Sequence, residues 1–187
     1  MKLVIAITGA SGVIYAKRLL EVLHNTEIET YLVLSEAAEH IIKHELGTTK
    51  QALEQLADHV YANNEWDSPI VSGSFKTDAM VIVPCSMKTI AGIANGFAEN
   101  VILRTSDVML KEKRKLILVP RETPLNTIHL KNMMELSQQG AFILPAMPAF
   151  YHKPQTVQDL VDFVVGRILD LLEIENHLYK RWQENKK

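Results

Sequence analysis

A single cysteine, Cys85, excludes an internal disulfide and fits a reducing compartment. Neither sign of charge is in surplus. Twenty basic residues against 22 acidic ones leave a net charge of −2, which gives no general attraction to nucleic acid or to an anionic membrane. Any phosphate that binds must therefore be held by local groups. No apolar run approaches the roughly 20 residues of a membrane-spanning helix. Met1 and Lys2 lead directly into a short apolar strand, not into a signal peptide. No repeat, low-complexity stretch or linker breaks the chain. These absences predict one soluble, cytoplasmic domain over residues 1–187, with no nucleic-acid or membrane partner.

What is present is a sequence able to build a core, 47% hydrophobic over 187 residues. Six apolar bursts read as strands: LVIAIT (3–8), ETYLVL (29–34), a weak HVYA (59–62), AMVIVP (79–84), KLILVP (115–120) and AFILP (141–145). They are short, β-branched and nearly continuous, as buried parallel strands are. Helical patterns lie between them, over roughly 13–24, 36–46, 49–57, 87–95, 104–113, 125–139 and 155–173. The alternation predicts an α/β fold: a doubly wound, Rossmann-like (flavodoxin-like) parallel sheet with helices on both faces. The polar end, 173–187, with Leu178, Tyr179 and Trp182, predicts a C-terminal helix that packs loosely or packs on a neighbouring subunit.

In such a sheet, ligands sit beyond the carboxyl ends of the strands. Gly9–Gly12 (GASG) occupies that place, after the first strand and at the start of a helix, where free N–H groups and the helix dipole favour an anion. The same turn also occurs with no ligand. A dinucleotide needs G-x-G-x-x-G and, as a rule, an acid ending the second strand. This chain has only G-x-x-G, carries Tyr15 where related reductases place a glycine, ends its second strand in Ser35 before Glu36, and has no Y-x-x-x-K pair. A mononucleotide fits better. The fourth strand runs into VIVPCSMKTIAGIANG, where Ser86, Lys88 and Thr89 crowd a second helix start. Ordinary capping by Ser86 explains the same residues.

Four stretches together are more specific: TGASG (8–12), PCSMKTIAGIANG (84–96), RTSDVMLKEKRKLILVPRETPL (104–125) and MPAFYHKPQTVQDLVDFVVGRILD (147–170). In identity and order they resemble the flavin prenyltransferase family, the UbiX-like flavoproteins, over nearly the whole chain. The resemblance implies an enzyme, a metal-independent prenyltransferase. Its action would be to join a dimethylallyl group from dimethylallyl phosphate to N5 and then C6 of reduced FMN. The product, prenylated FMN, would serve a UbiD-type decarboxylase, in ubiquinone biosynthesis or in aromatic acid breakdown. The resemblance also implies a homo-oligomer, a dodecamer whose active sites form where subunits meet. It places Gly9, Ala10, Ser11, Ser35, Ser86, Met87, Lys88, Thr89 and Arg121 around FMN. Around the donor it places Arg104, Lys111, Tyr151 and Arg167, with Trp182 nearby. It gives catalytic roles to Ser11, Glu45 and Glu122.

The chemistry suits these residue types. Breaking an allylic C–O bond without a metal requires side chains to take the leaving phosphate. Arginine does so bidentately with a permanent charge, lysine as a point charge, tyrosine as a neutral donor. Arg104 and Lys111, seven apart, share one side of a helix. Arg167 lies in an apolar helix, where an arginine often meets an acid such as Asp162 or Asp170. His40 and His44 have a zinc-like i, i+4 spacing, but HIIKHE lacks the intervening glutamate of the protease motif, so no metal site is expected. Cys85 reads as a small buried thiol. Two rivals stay in view: an FMN-dependent cysteine decarboxylase of the phosphopantothenoylcysteine type, and a non-catalytic FMN-binding protein. The first needs a catalytic histidine that this chain does not show directly after the second strand, where Ser35-Glu36-Ala37 stand. The second has no use for the cations of a second phosphate site.

Overall fold

The computed structural model describes residues 1–24 and 26–182. Strands and helices alternate: β1 (Lys2–Ile7), α1 (Val13–Leu23), β2 (Glu29–Leu34), α2 (Glu36–Leu46), α3 (Lys50–Glu54), β3 (His59–Ala62), β4 (Ala79–Cys85), α4 (Met87–Ala94), α5 (Val101–Lys111), β5 (Lys115–Pro120), α6 (Thr127–Gln138), β6 (Phe142–Ile143) and α7 (Val157–Leu171). One 3-10 turn, Pro69–Val71, lies between β3 and β4. The strands form one parallel sheet in the order β3-β2-β1-β4-β5-β6. This is the doubly wound order, and without the edge strand β3 it is the flavodoxin order. The winding reverses between β1 and β4.

Successive strand residues point to opposite faces, and each face has its own core. Leu3, Ile5, Ile7, Val81 and Val119 meet α1, α2, α3 and α7. Val4, Ala6, Met80, Ile82 and Leu118 meet α4, α5 and α6. Burial on both sides explains why the central strands read as continuous apolar runs. The half-covered edge strand β3 alternates instead.

Among the boundaries that depart from expectation, three have a clear local reason. Helix α5 begins three residues early because Asn100 caps it, its Oδ1 accepting from the Leu103 N–H at 3.0 Å. Strand β6 keeps two residues of the expected five. Leu144 and Ala146 still donate to the carbonyls of Leu118 and Pro120, at 2.8 and 3.0 Å, but Pro145 between them has no N–H to give. The helix expected over 173–187 is absent from 173–182, while 183–187 lie outside the described residues. Glu173 takes a left-handed φ of 61°, and the Ile174 N–H turns back to the Leu169 carbonyl at 2.9 Å, closing α7.

Candidate functional site

The carboxyl ends of β1, β2 and β4 open onto a cleft of about 740 Å³, within the size range of small-molecule sites. Gly9, Ser35, Ser86, Lys88 and Thr89 all line it. Thr8 sets its width. The buried hydroxyl donates to the Pro84 carbonyl at 2.8 Å and accepts from the Ser86 N–H at 2.8 Å, tying the end of β1 to the turn after β4. Gly9 is a packing requirement, because a Cβ there would overlap the Cβ of Ala37 at the start of α2.

Two helix starts on this rim are capped by serine. Ser35 Oγ accepts from the Ala38 N–H at 3.2 Å, and Ser86 Oγ from the Thr89 N–H at 3.3 Å. Ser86 and Thr89 also share a hydroxyl–hydroxyl hydrogen bond of 3.0 Å. The capping expected of Ser86 is therefore present. It leaves Met87 and Lys88 as the next N–H donors of the turn, with the Met87 side chain against the core. The Lys88 side chain is exposed and 4.0 Å from Glu99.

The third helix start behaves differently. Gly12, at φ 103°, begins α1 and has no side chain to cap it. Glu45 of α2 takes that role: its Oε2 accepts from the N–H groups of Gly12 and Val13 at 2.9 and 3.2 Å. The anion favoured at GASG is thus the protein's own carboxylate. A ligand phosphate is left to the serine-capped starts of α2 and α4. Tyr15, read against a dinucleotide, packs over this turn, its ring 3.1 Å from where a Gly12 Cβ would stand, and burial raises its pKa. Ser11 is half-buried and Ala10 buried in the same turn.

Arg121 follows β5, its N–H donating to the Cys85 carbonyl at 3.3 Å, next to Ser86. Its Nε is buried with no protein partner, as a group awaiting a ligand would be. Glu122 is exposed, and its Oε1 accepts from the Thr123 N–H at 3.0 Å. Cys85 is fully buried, and burial drives its thiol pKa far above the usual range, so it is a packing residue.

The remaining predicted residues fall into two groups, on opposite faces of the sheet. On α5, the Arg104 guanidinium donates to the Val71 carbonyl at 3.2 Å and pairs with Asp107 at 2.6 Å. Lys111 pairs with Glu112 and covers Gly73. Residues at the start of α5 line the cleft, whereas Lys111 ends the helix just before β5 begins. Ten residues at 1.5 Å each put it roughly 15 Å along the helix, at the amino end of the sheet. On the other face, Tyr151 meets Trp182 and Phe163 edge-on, with ring centroids 5.3 and 5.9 Å apart. Phe163 meets Tyr179 at 5.0 Å, and the Tyr179 hydroxyl lies 3.4 Å from Arg167. Residues 151, 167 and 182 are thus brought together by two aromatic rings, Phe163, which the sequence reading did not single out, and Tyr179, which it noted only as part of the tail.

Arg167 pairs with Asp170 at 3.0 Å, while Asp162 pairs instead with Arg18 at 2.7 Å. Burial alone would raise the Asp170 carboxyl. Hydrogen bonds from Arg181, Tyr179 and Asn176 outweigh it and hold the group below the usual carboxylate range. The Tyr179 hydrogen bond leads the causes that raise Arg167. The signals overlooked in the sequence were Thr8, a polar end to an apolar strand, and Gly166, whose role, like that of the tail residue Tyr179, depends on a contact across the end of α7. No helix among the described residues is long and apolar enough to cross a membrane, and none of their His, Cys, Asp and Glu residues gather in threes to hold a metal.

A family model described as Flavoprotein matches residues 1–169. Over 97% of this chain and 98% of its own, a protein of Methanocaldococcus jannaschii named Flavin prenyltransferase UbiX is 55% identical. A structure of AnUbiX (PadA1) in complex with FMN and dimethylallyl pyrophosphate superposes with a TM-score of 0.96 at 46% identity, covering 99% of this chain and 98% of that one. A dodecameric FMN-dependent UbiX-like decarboxylase from Escherichia coli O157:H7 also gives 0.96 at 46% identity, over 98% and 100%.

Proposed function

The chain belongs to the flavoprotein family and, within it, to the flavin prenyltransferases, and from that premise we propose that it transfers a dimethylallyl group from dimethylallyl phosphate to N5 and C6 of reduced FMN. The product would be prenylated FMN for a UbiD-type decarboxylase. We read 1–187 as one FMN-binding domain that works as a homo-oligomer, a dodecamer like the E. coli relative, with the tail at a subunit interface.

When bound, reduced FMN supplies the nucleophilic nitrogen and ring carbon. Ser35, Ser86, Thr89 and the start of α4 would hold its phosphate through hydroxyls and amides. Gly9, Ala10 and Ser11 would lie along the cleft floor, and Arg121 would direct its partnerless Nε to the flavin nucleotide. Glu45, held at the start of α1, stands beside Ser11, and the two would manage proton position there, with exposed Glu122 as a second carrier. Arg104, Lys111, Tyr151 and Arg167 would take the phosphate that departs with the electron pair of the allylic C–O bond.

One observation carries the oligomeric form of this reading. Arg104 and Lys111 lie on one face of the sheet, Tyr151 and Arg167 on the other, and Lys111 sits at the end remote from its own cleft. A single donor phosphate can use both sets only if different copies supply them. Under anaerobic conditions, reduced FMN and dimethylallyl phosphate should yield a flavin heavier by one isoprene unit. Unmodified FMN alone would defeat the reading. Carbon dioxide released from a cysteine-containing substrate, with no heavier flavin, would favour the cysteine decarboxylase instead.

A further inference from the structure

His152 follows Tyr151 in the chain, and its ring is placed in an unusual way. The residue as a whole is half-buried, yet Nδ1 and Nε2 are both sealed from water, and neither has a hydrogen-bond partner among the described residues. Either tautomer of an imidazole carries a hydrogen-bonding nitrogen on each side. Buried polar atoms are nearly always paired, so two orphans on one ring call for a reason. The carboxylate in its vicinity, Asp159, is already taken: its Oδ2 accepts from the Gln155 and Thr156 N–H groups at 2.8 and 3.0 Å.

The imidazole lies flat on Phe163, with centroids 5.4 Å and planes 7° apart. Tyr151 meets it edge-on at 5.7 Å and 78°. A phenylalanine in this place would stack equally well and leave no nitrogen orphaned, so packing alone does not account for a histidine. Its location does. Phe163 and Arg167 are four apart on α7 and share one side of that helix. His152 thus lies between Tyr151 and the helix side that carries Arg167. One hydrogen bond closes the turn that holds it, from the Lys153 N–H to the Phe150 carbonyl at 3.0 Å, with Lys153 at a left-handed φ of 57°. Tyr151 is 40% exposed, so its ring is free to move toward a ligand, and in moving it uncovers the edge of His152 that it meets.

We propose that His152 is a further donor-site residue: when Tyr151 turns to the prenyl donor, an imidazole nitrogen of His152 donates a hydrogen bond to the donor's phosphate. The inference rests on the reading of Tyr151 and Arg167 as the prenyl-donor site. The hydrogen bond that the ring lacks among the described residues is the one that the phosphate supplies.

The test uses the full-length protein loaded with oxidised FMN, whose N5 is not a nucleophile, so that dimethylallyl phosphate binds without turnover. Isothermal titration reads donor affinity, and urea unfolding at fixed protomer concentration reads stability. His152→Phe keeps the stack on Phe163 and removes both nitrogens. Donor affinity should fall roughly 10- to 100-fold, the loss expected of a hydrogen bond to a charged group, with FMN affinity unchanged. The urea midpoint should equal or exceed that of wild type, because no orphaned nitrogen is left to bury. His152→Gln, which returns an N–H near the reach of Nε2, should recover part of the donor affinity. Wild-type donor affinity in His152→Phe, or a lowered midpoint, overturns the proposal. Anaerobic turnover with reduced FMN separates it from the reading it rests on. Donor binding that depends on His152, with no heavier flavin, counts against prenyl transfer and leaves the phosphate contact standing. A heavier flavin formed by His152→Phe with the wild-type donor KM removes His152 alone. A wild type that binds no dimethylallyl phosphate in either flavin state overturns both.

Discussion

Thr8 is the residue on which the cleft depends most directly, and Thr8→Val is the sharpest perturbation of it. Valine keeps the volume and the β-branch, so the end of β1 stays packed. Only the hydroxyl goes. The Pro84 carbonyl keeps a partner, the Thr8 backbone N–H at 3.2 Å. The Ser86 N–H loses the 2.8 Å acceptor that holds it. An orphaned donor costs about 1–3 kcal/mol when buried, and since Ser86 is half-buried the lower part, about 1–2 kcal/mol, applies. For a chain of this length that is a fall in Tm of about 2–8 °C. If the same energy appears in binding, FMN affinity falls roughly 5- to 30-fold, because Ser86 fixes the start of α4. Urea unfolding followed by circular dichroism at fixed protomer concentration reads the first effect, and quenching of FMN fluorescence the second. Thr8→Ser restores the hydroxyl and should recover both. Should Thr8→Val match wild type in midpoint and in FMN affinity, the clasp between β1 and β4 is not what shapes the cleft.

Three further outcomes follow from the same geometry. Glu45→Gln removes a charge from the start of α1, which should cost about 0.5–1 kcal/mol and make the midpoint newly responsive to inorganic phosphate at the vacated helix start. Urea midpoints with and without phosphate check this, and equal phosphate responses would contradict it. Inactive Lys111→Ala and Arg167→Ala subunits, coexpressed in equal amounts, should regain about one quarter of wild-type turnover if different copies supply the two cations; no recovery would place both on one chain. The third concerns pH. The folded-state pKa of Asp170 is depressed, so its contribution is present above the unfolded value of about 3.9 and is lost as pH falls through the lower folded value. Trp182 anisotropy should therefore drop below about pH 4, and Asp170→Asn should show no such acid transition.

The strands were legible because both faces of the sheet are buried. That makes each central strand a short continuous apolar run, and the alternation with helices leaves few topologies. The serine-capped starts of α2 and α4 were legible for a similar reason: a cap is a local signal that needs no distant partner. Glu45 was not. Its role depends on Gly12, 33 residues earlier, and on α1 beginning at a glycine that cannot cap itself. In the sequence it shows as an acid beside two histidines, and the family resemblance that gives it a catalytic role says nothing of the helix start it holds. The tail misled for the same physical reason. Leu178, Tyr179 and Trp182 resemble a loose apolar stripe, but Tyr179 is placed by the gap at Gly166 and by Asp170, and a left-handed Glu173 has already ended the helix. Arg167 and Asp170, three apart, were visible as a pair; the Arg181 that completes them was not.

The two proposed kinds of phosphate holder match two different tasks. A nucleotide tail keeps its charge throughout the reaction, so hydroxyls and helix-start amides suffice and require no basic patch on a chain of net charge −2. A leaving phosphate gains negative charge as the allylic bond breaks, and groups whose positive charge is fixed in advance stabilise that change more than the ground state. In the isolated chain each such cation is matched to an acid: Arg104 to Asp107, Lys111 to Glu112, Arg167 to Asp170. Pairing keeps the guanidiniums and the ammonium ordered without the donor, but it also cancels their charge. At Asp170 a second guanidinium, that of Arg181, holds the same carboxylate at 2.7 Å, so one shared acid orders that end of α7.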